Sequence, residues 1–168
     1  MYLFRTLPTV SLNSSSPSGS QLGGSNNTIF KFDVATPNAG FNAKINSIKF
    51  SIHSYSGASS SIFGRTFKLY KSTDESTVIG QGISTANNIA TDATGWVTIY
   101  PNPASEIGNN STVTYILKAD TSALDTDSRS NQNLYISIEN GDFYWDDSSG
   151  INTTKGVVGL PVAGGVLS

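Results

Sequence analysis

In the stretch TIFKFDVAT, Phe30, Phe32 and Val34 alternate with Lys31 and Asp33, and the same two-residue period returns along most of the chain. An extended backbone points successive side chains to opposite faces, so a segment of this kind hides one face and wets the other. INSIKFSIHSY repeats the pattern with Ile48, Phe50 and Ile52 on the apolar side and Lys49, Ser51 and His53 on the polar side. RTFKLYKS does so with Phe67 and Leu69, and NLYISIEN with Leu134, Ile136 and Ile138. STVTYILKAD sets Val113, Tyr115 and Leu117 against Thr112, Thr114 and Lys118, with Ile116 out of pattern. Weaker segments span Leu7 to Leu12, Val78 to Ile83 and GWVTIY, the last stopped by Pro101 and kept from continuing as a central strand by Pro103.

Turn chemistry separates these segments. Thr73 to Ser76 reads as a hairpin tip, SALDTDSRSNQ as a loop with room for one short helical turn, and Asn140-Gly141 as a hairpin turn. Eight to ten short strands at intervals of about 10 to 20 residues, with no sustained helical period, predict an all-β fold. The expected architecture is a two-sheet antiparallel β-sandwich, immunoglobulin-like or jelly-roll-like, although a closed barrel would use the same alternation. All 168 residues fit one domain, long enough to bury roughly 70% of its unfolded surface without a metal or disulfide staple. Within it, residues 1–27 read as an N-terminal strand followed by a Ser/Gly-rich linker, and residues 157–168 as an apolar strand or arm that closes the sheet.

Composition sharpens this picture. Ser, Thr, Asn and Gly make up 74 of the 168 residues while charged residues are only 13%, which leaves little material for solvated helix faces. A formal charge of -2 with scattered Lys and Arg offers no basic field, so nucleic acid is not an expected partner. Cysteine is absent, which assigns no compartment. No run of 18 apolar residues is present to span a membrane as a helix, and MYLFRTLPTV lacks the continuous apolar block of a secretory signal. The Ser/Thr/Asn-rich, Lys-poor balance leans toward an extracellular or cell-surface protein, whose export signal would then lie outside this sequence. Sequons at Asn13, Asn26, Asn109, Asn110 and Asn152 are of the number that such a composition generates by chance.

The series RTLPTVSLNSSSPSG, FKFDV, FKLYKS, TYILKAD, DFYWDD and GLPVAGGVLS resembles β-sandwich modules repeated in long secreted or cell-surface proteins of bacteria, S-layer-like or adhesin-like, notably of small-genome uncultured lineages. The resemblance implies an envelope or appendage role, neighbouring copies or domains of the same surface protein as partners, and no catalytic residues.

Candidate chemistry concentrates in NGDFYWDDSSG. Extended, it places Phe143 and Trp145 on the buried face and Tyr144 outside, with Asp146 and Asp147 at the rim. A glycan could stack on exposed rings, and Tyr144, Tyr100 and Trp96 are the candidates, with Tyr55 also available. Calcium would find oxygen ligands at Asp125 and Asp127 or at Asp142, Asp146 and Asp147, although neither group has the spacing of a twelve-residue calcium loop. Such Asp residues equally serve to cap turns. No other cofactor is expected. Catalysis has little to draw on: His53 is the one histidine, without an acidic neighbour in the local sequence, and no GxSxG or HExxH motif is present. The apolar tail, through Val157, Val158, Leu160, Val162, Val166 and Leu167, could pair within its own domain or add as a strand to a neighbouring subunit, its glycines letting the arm bend away. The expectation is therefore a non-enzymatic structural or adhesive module of a cell-surface or extracellular assembly that polymerises if the tail exchanges; a carbohydrate-binding module is the alternative.

Overall fold

The computed structural model of the chain describes residues 3–19, 22–55, 62–88, 92–103, 105–124 and 133–168. Among them the alternating segments become β1 (Thr9–Leu12), β2 (Asn27–Ala35), β3 (Ala43–Tyr55), β4 (Thr66–Lys71), β5 (Gly80–Ile83) and β6 (Thr85–Asn88). The second half forms β7 (Asp92–Ile99), β8 (Ser105–Ile107), β9 (Thr112–Ala119), β10 (Asn133–Ile138), β11 (Phe143–Asp146) and β12 (Val162–Ala163), with one 3-10 turn at Ser122–Leu124. The first sheet runs β1-β2-β9-β4-β5 and the second β12-β10-β3-β7-β6, with β8 and β11 also paired to β3. The chain is an all-β, two-sheet antiparallel sandwich. Its strands outnumber the eight to ten read from the sequence because β6 (TANN) and β8 (SEI) are too short or too polar to show a period.

The inner faces meet in a cluster of rings. Phe30 and Phe32 of β2 lie 5.7 Å apart, Phe32 stacks on Tyr115 of β9 at 5.4 Å, and Phe50 of β3 meets Phe32 edge-on from the opposite sheet at 5.9 Å. All four are fully buried, and each contributes about 1.5–3 kcal/mol by leaving water. The Tyr115 hydroxyl is hydrogen-bonded to Ser105 Oγ, and burial pushes its pKa up to about 12 against the opposing effect of that bond. One residue, Ser84, carries the chain from β5 in the first sheet to β6 in the second. It is buried, and its hydroxyl donates to the Ile62 carbonyl at 2.8 Å while its N–H donates to Arg65 O at 3.0 Å, so the crossing leaves both groups satisfied.

Two expectations are corrected. The Asn140-Gly141 turn forms, with Gly141 at φ 86° and Asp142 N–H donating to Glu139 O, but it does not make a hairpin. β10 pairs with Ser51 to Tyr55 and β11 with Lys44 to Ile48, both antiparallel to β3, so the two run in the same direction end to end along one edge of β3. The turn is a jog in an interrupted strand, because thirteen-residue β3 offers a longer pairing edge than the six residues of β10 can fill.

The second correction concerns the outside of the first sheet, where alternation leaves Lys118 in solvent. Lys118 is 9% exposed, alongside buried Ile116 and Tyr70. Tyr70 stands opposite Ile116 and Lys68 opposite Lys118 across β4 and β9. Glu75, from the turn after β4, accepts from Lys118 Nζ at 2.6 Å, and the ammonium lies 5.1 Å from the Tyr70 ring centroid. The out-of-pattern Ile116 thus has its reason: this face carries a small apolar patch of its own, covered by the lysine stem.

Candidate functional site

Two features of the surface merit a functional reading: the outer face of the second sheet and the seam where the chain ends meet.

The outer face is built by register. Tyr135 of β10, His53 of β3 and Thr94 of β7 stand in one cross-strand row; Ser137, Ser51, Trp96 and Thr85 of β6 stand in the next. These positions alternate with the buried Phe50, Ile52, Val97 and Ile136, which fixes their outward direction. Between β10 and the β7–β6 pair lies an open groove of about 400 Å³ lined by Ser51, His53, Thr94, Tyr135 and Ser137, with Asn87 and Glu139 at its sides. The His53 ring lies 5.3 Å from that of Tyr55, whose hydroxyl is 3.4 Å from Nδ1, and 6.5 Å from that of Tyr135, tilted by 43°. Ser137 Oγ donates to Glu139 Oε1 at 2.6 Å. The sequence around His53 holds no acid; the fold brings Glu139 into the same groove.

The candidate aromatic residues share this sheet without forming one platform. Trp96 occupies the Ser51 row, half-buried, with Lys49 Nζ 5.8 Å from its ring centroid. Tyr144 stands opposite Ser47 on the other side of β3 and is 40% exposed. Four residues of β3 and two strand spacings separate those positions, roughly 13 Å along and 10 Å across. Tyr100 follows the end of β7 and is 66% exposed.

Phe143 and Trp145 are fully buried, and the Trp145 indole donates to Lys155 O at 3.1 Å. The rim expected at Asp146 and Asp147 is instead closed over, at 5% and 7% exposure. Asp146 accepts from Asn46 Nδ2 at 2.9 Å and from Ser148 N–H at 2.7 Å. Asp147 accepts from Ser149 N–H and from Arg5 N–H at 3.0 Å, and bonds from Ser149 first and Arg5 second hold its carboxyl below the usual range. Asp142, at the other end of β11, is 3.5 Å from Lys49 Nζ. The structure does not gather Asp142, Asp146 and Asp147 at one point, and among the described residues no group of three or more acidic, His or Cys side chains is arranged to hold a metal ion. Asp125 and Asp127 lie outside the described residues.

At the seam, the apolar tail is bonded within the chain. Val10 N–H donates to Val158 O at 2.8 Å and Val158 N–H to Pro8 O at 3.0 Å, a parallel pairing with the edge of the first sheet. Val162 pairs with Ile138, and Leu134 and Leu167 exchange two bonds of 2.9 Å at the edge of the second. Gly19 then takes both neighbours of Leu167, donating to Val166 O at 2.8 Å and accepting from Ser168 N–H at 2.9 Å. Residues 14–19 are tied down through Gly19 and through Ser16, whose Oγ accepts from Lys31 N–H at 3.0 Å. Val162 and Leu167 are buried, Val157 and Leu160 pack against the core, and Val158 and Val166 are about half exposed. The glycines expected to free an arm serve here as points of close approach: a Cβ on Gly165 would stand 2.5 Å from Ser18 Cβ and one on Gly164 2.9 Å from the Phe30 ring.

Fold and surface together define a β-sandwich module with an interlocked pair of termini. No family model matches the chain, and no curated protein matches it. Among solved structures it is similar to the unique CBM3 of Hungateiclostridium clariflavum, at 14% identity over 79% of this chain and 93% of that one, TM-score 0.40. It is also similar to AvmM, which catalyzes macrocyclization in alchivemycin A biosynthesis, at 10% identity over 96% and 85% of the two chains, TM-score 0.35. A third is ACE19, the collagen-binding subdomain of the Enterococcus faecalis surface protein ACE, at 10% identity over 100% and 98%, TM-score 0.27. The fold class rests on the strand pairings of the chain itself, and these likenesses add nothing to it. Among the described residues no helix is long and apolar enough to cross a membrane.

Proposed function

We propose that this chain is a non-catalytic structural or adhesive module of an extracellular or cell-surface assembly, and that its terminal seam bears load. The observation that carries this reading is the parallel pairing of the N-terminal segment with the tail, Thr9 of β1 with Val158 and Gly19, beyond β1, with Leu167. In a parallel pair, tension on the N-terminal end of one segment and the C-terminal end of the other acts along the strands. The bonds then shear together; they do not open one at a time. The Ser/Thr/Asn-rich exterior supports the same role, since it keeps the outer faces wet while the sheets stay locked.

Strand exchange between copies is the polymerising version of this reading. It would require the tail to leave contacts fitted at Gly159, Gly164 and Gly165, so the internal seam supports a self-contained unit joined to its neighbours by other surfaces. Force spectroscopy on a tandem array, pulled from its termini, tests the proposal. Val158→Pro removes the N–H that donates to Pro8 O and should lower the unfolding force clearly; an unchanged force would sink the load-bearing role.

A further inference from the structure

We propose that the groove on the outer face of the second sheet binds a neutral saccharide through Tyr135, His53, Ser51 and Glu139, the last held in place by the buried Ser137. The site differs from the set Tyr144, Tyr100 and Trp96 that exposure of rings along the sequence suggests, and it is independent of the load-bearing reading, so either stands if the other fails.

Three observations on the lining converge. The first is shape: at about 400 Å³ and open to solvent on one side, the groove falls within the size range of small-ligand sites and admits a sugar ring with the rest of a chain running out. The second is chemistry. Ser51 and Thr94 offer hydroxyls, Asn87 an amide, His53 ring nitrogens and Glu139 a carboxylate, while Tyr135 and His53 offer tilted ring faces 6.5 Å apart. Hydroxyl and amide groups both donate and accept, as sugar hydroxyls do, and an aromatic face covers the apolar C–H side of a pyranose. Ser137 uses one bond to orient Glu139 Oε1, and a carboxylate has capacity for further donors beyond that one. The third is charge. Among the described residues the lining holds Glu139 and neither Lys nor Arg, so an anionic ligand meets repulsion there. The polar side chains equally disfavour a lipid tail, which would leave them unpaired.

Rigidity favours the site as well. Ser51, His53, Thr94, Tyr135 and Ser137 stand on three hydrogen-bonded strands whose reverse faces are core, so their spacing is set before any ligand arrives.

The test is affinity electrophoresis of the whole chain in gels carrying β-glucan, xylan, galactomannan or mannan, with alginate and choline chloride as charged controls. At least one neutral polysaccharide should retard the protein, and Trp96, beside Ser51, should report the same binding by a fluorescence change. Tyr135→Ala and Glu139→Gln should each weaken binding at least tenfold, Tyr135→Phe should retain it, and Tyr100→Ala should leave it unchanged. Should Tyr135→Ala fail to fold, Ser51→Leu fills the groove from its floor and should abolish binding in a protein with wild-type circular dichroism. Lack of retardation by every neutral polysaccharide, tighter binding of alginate or choline, or binding that survives Glu139→Gln and Ser51→Leu would each overturn the proposal.

Discussion

The carbonyl oxygen of Val10 lies where it would stand 2.1 Å from a Cβ placed on Gly159, and Gly159 itself sits at φ +89°. Side chains are excluded there twice, once by backbone conformation and once by the neighbouring strand. Gly150 shares the conformation, at φ +81°, but a Cβ on it meets nothing within 4 Å. Gly150→Ala should therefore cost only the strain of a left-handed residue, about 1 kcal/mol, and Gly159→Ala at least about 3 kcal/mol. Urea denaturation of the two variants measures the difference, and equal costs would show that the seam yields easily.

Removing residues 157–168 should uncover the edges of both sheets at once. Val162 and Leu167 are buried, and side chains of this kind contribute about 1.5–3 kcal/mol each. The truncated chain is expected to lose at least about 3 kcal/mol of stability before the lost hydrogen bonds are considered. A synthetic peptide of the same residues should restore the thermal transition when added in trans. A truncated chain that melts like the intact one would show the tail to be peripheral.

Lys118 and Glu75 should respond unequally to substitution. The glutamate side chain is 48% exposed against 11% for the lysine, so Glu75→Gln should cost no more than about 1 kcal/mol. Lys118→Ala removes the stem that covers Tyr70 and Ile116 and should cost more, while Lys118→Met keeps the stem and also ends the cross-strand repulsion from Lys68. The expected order of stability, wild type close to Lys118→Met and both above Lys118→Ala, is checked by thermal melts at high and low salt.

Acid should weaken the fold in a window set by its turn carboxylates. Hydrogen bonds from Ser76 and then Thr77 lower the Asp74 pKa from 3.8 to about 2, and Glu75, Asp120 and Asp147 are lowered as well, chiefly by Lys118, Ser122 and Ser149 respectively. A folded-state pKa below the unfolded one means that the unfolded chain binds protons first. The stabilisation is then fully present above about pH 4 and is lost as pH falls toward 2. Asp74→Asn keeps an acceptor for the Ser76 N–H and should flatten part of this fall, measured as the urea midpoint between pH 5 and pH 2. An identical acid dependence in the variant would assign the effect to the other three groups.

Trp145 is fully buried and Trp96 half-buried, so Trp96→Phe should leave a blue-shifted emission that iodide barely quenches. Trp145→Ala should cost about 3–5 kcal/mol.

The outcome for NGDFYWDDSSG shows where reading along the chain stops. That Phe143 and Trp145 face inward and Tyr144 outward follows from alternation alone, a steric property of each residue and its neighbours. That Asn140-Gly141 joins two strands end to end along β3, and that Asp146 and Asp147 are closed over by Asn46 and Arg5, depends on partners about 100 and 142 residues away. No local pattern encodes those distances. The groove is of the same kind: its members come from β3, β6, β7 and β10 and the residue just beyond β10, and His53 and Glu139 are 86 residues apart along the chain, so neither marks the other.

The amino-acid order by itself determined which side of each strand is apolar and that the fold is β throughout, because the two-residue period is a consequence of backbone geometry; a closed barrel would have satisfied the same period as two packed sheets. Tertiary structure alone decided which strands are neighbours, that the glycine-rich tail lies fitted against its own first strand, and which polar side chains converge on one groove. Hydrophobic burial is indifferent to partner, so a greasy face specifies that it will be covered, while the covering element is chosen by register, close approach and hydrogen bonding between segments far apart in the chain.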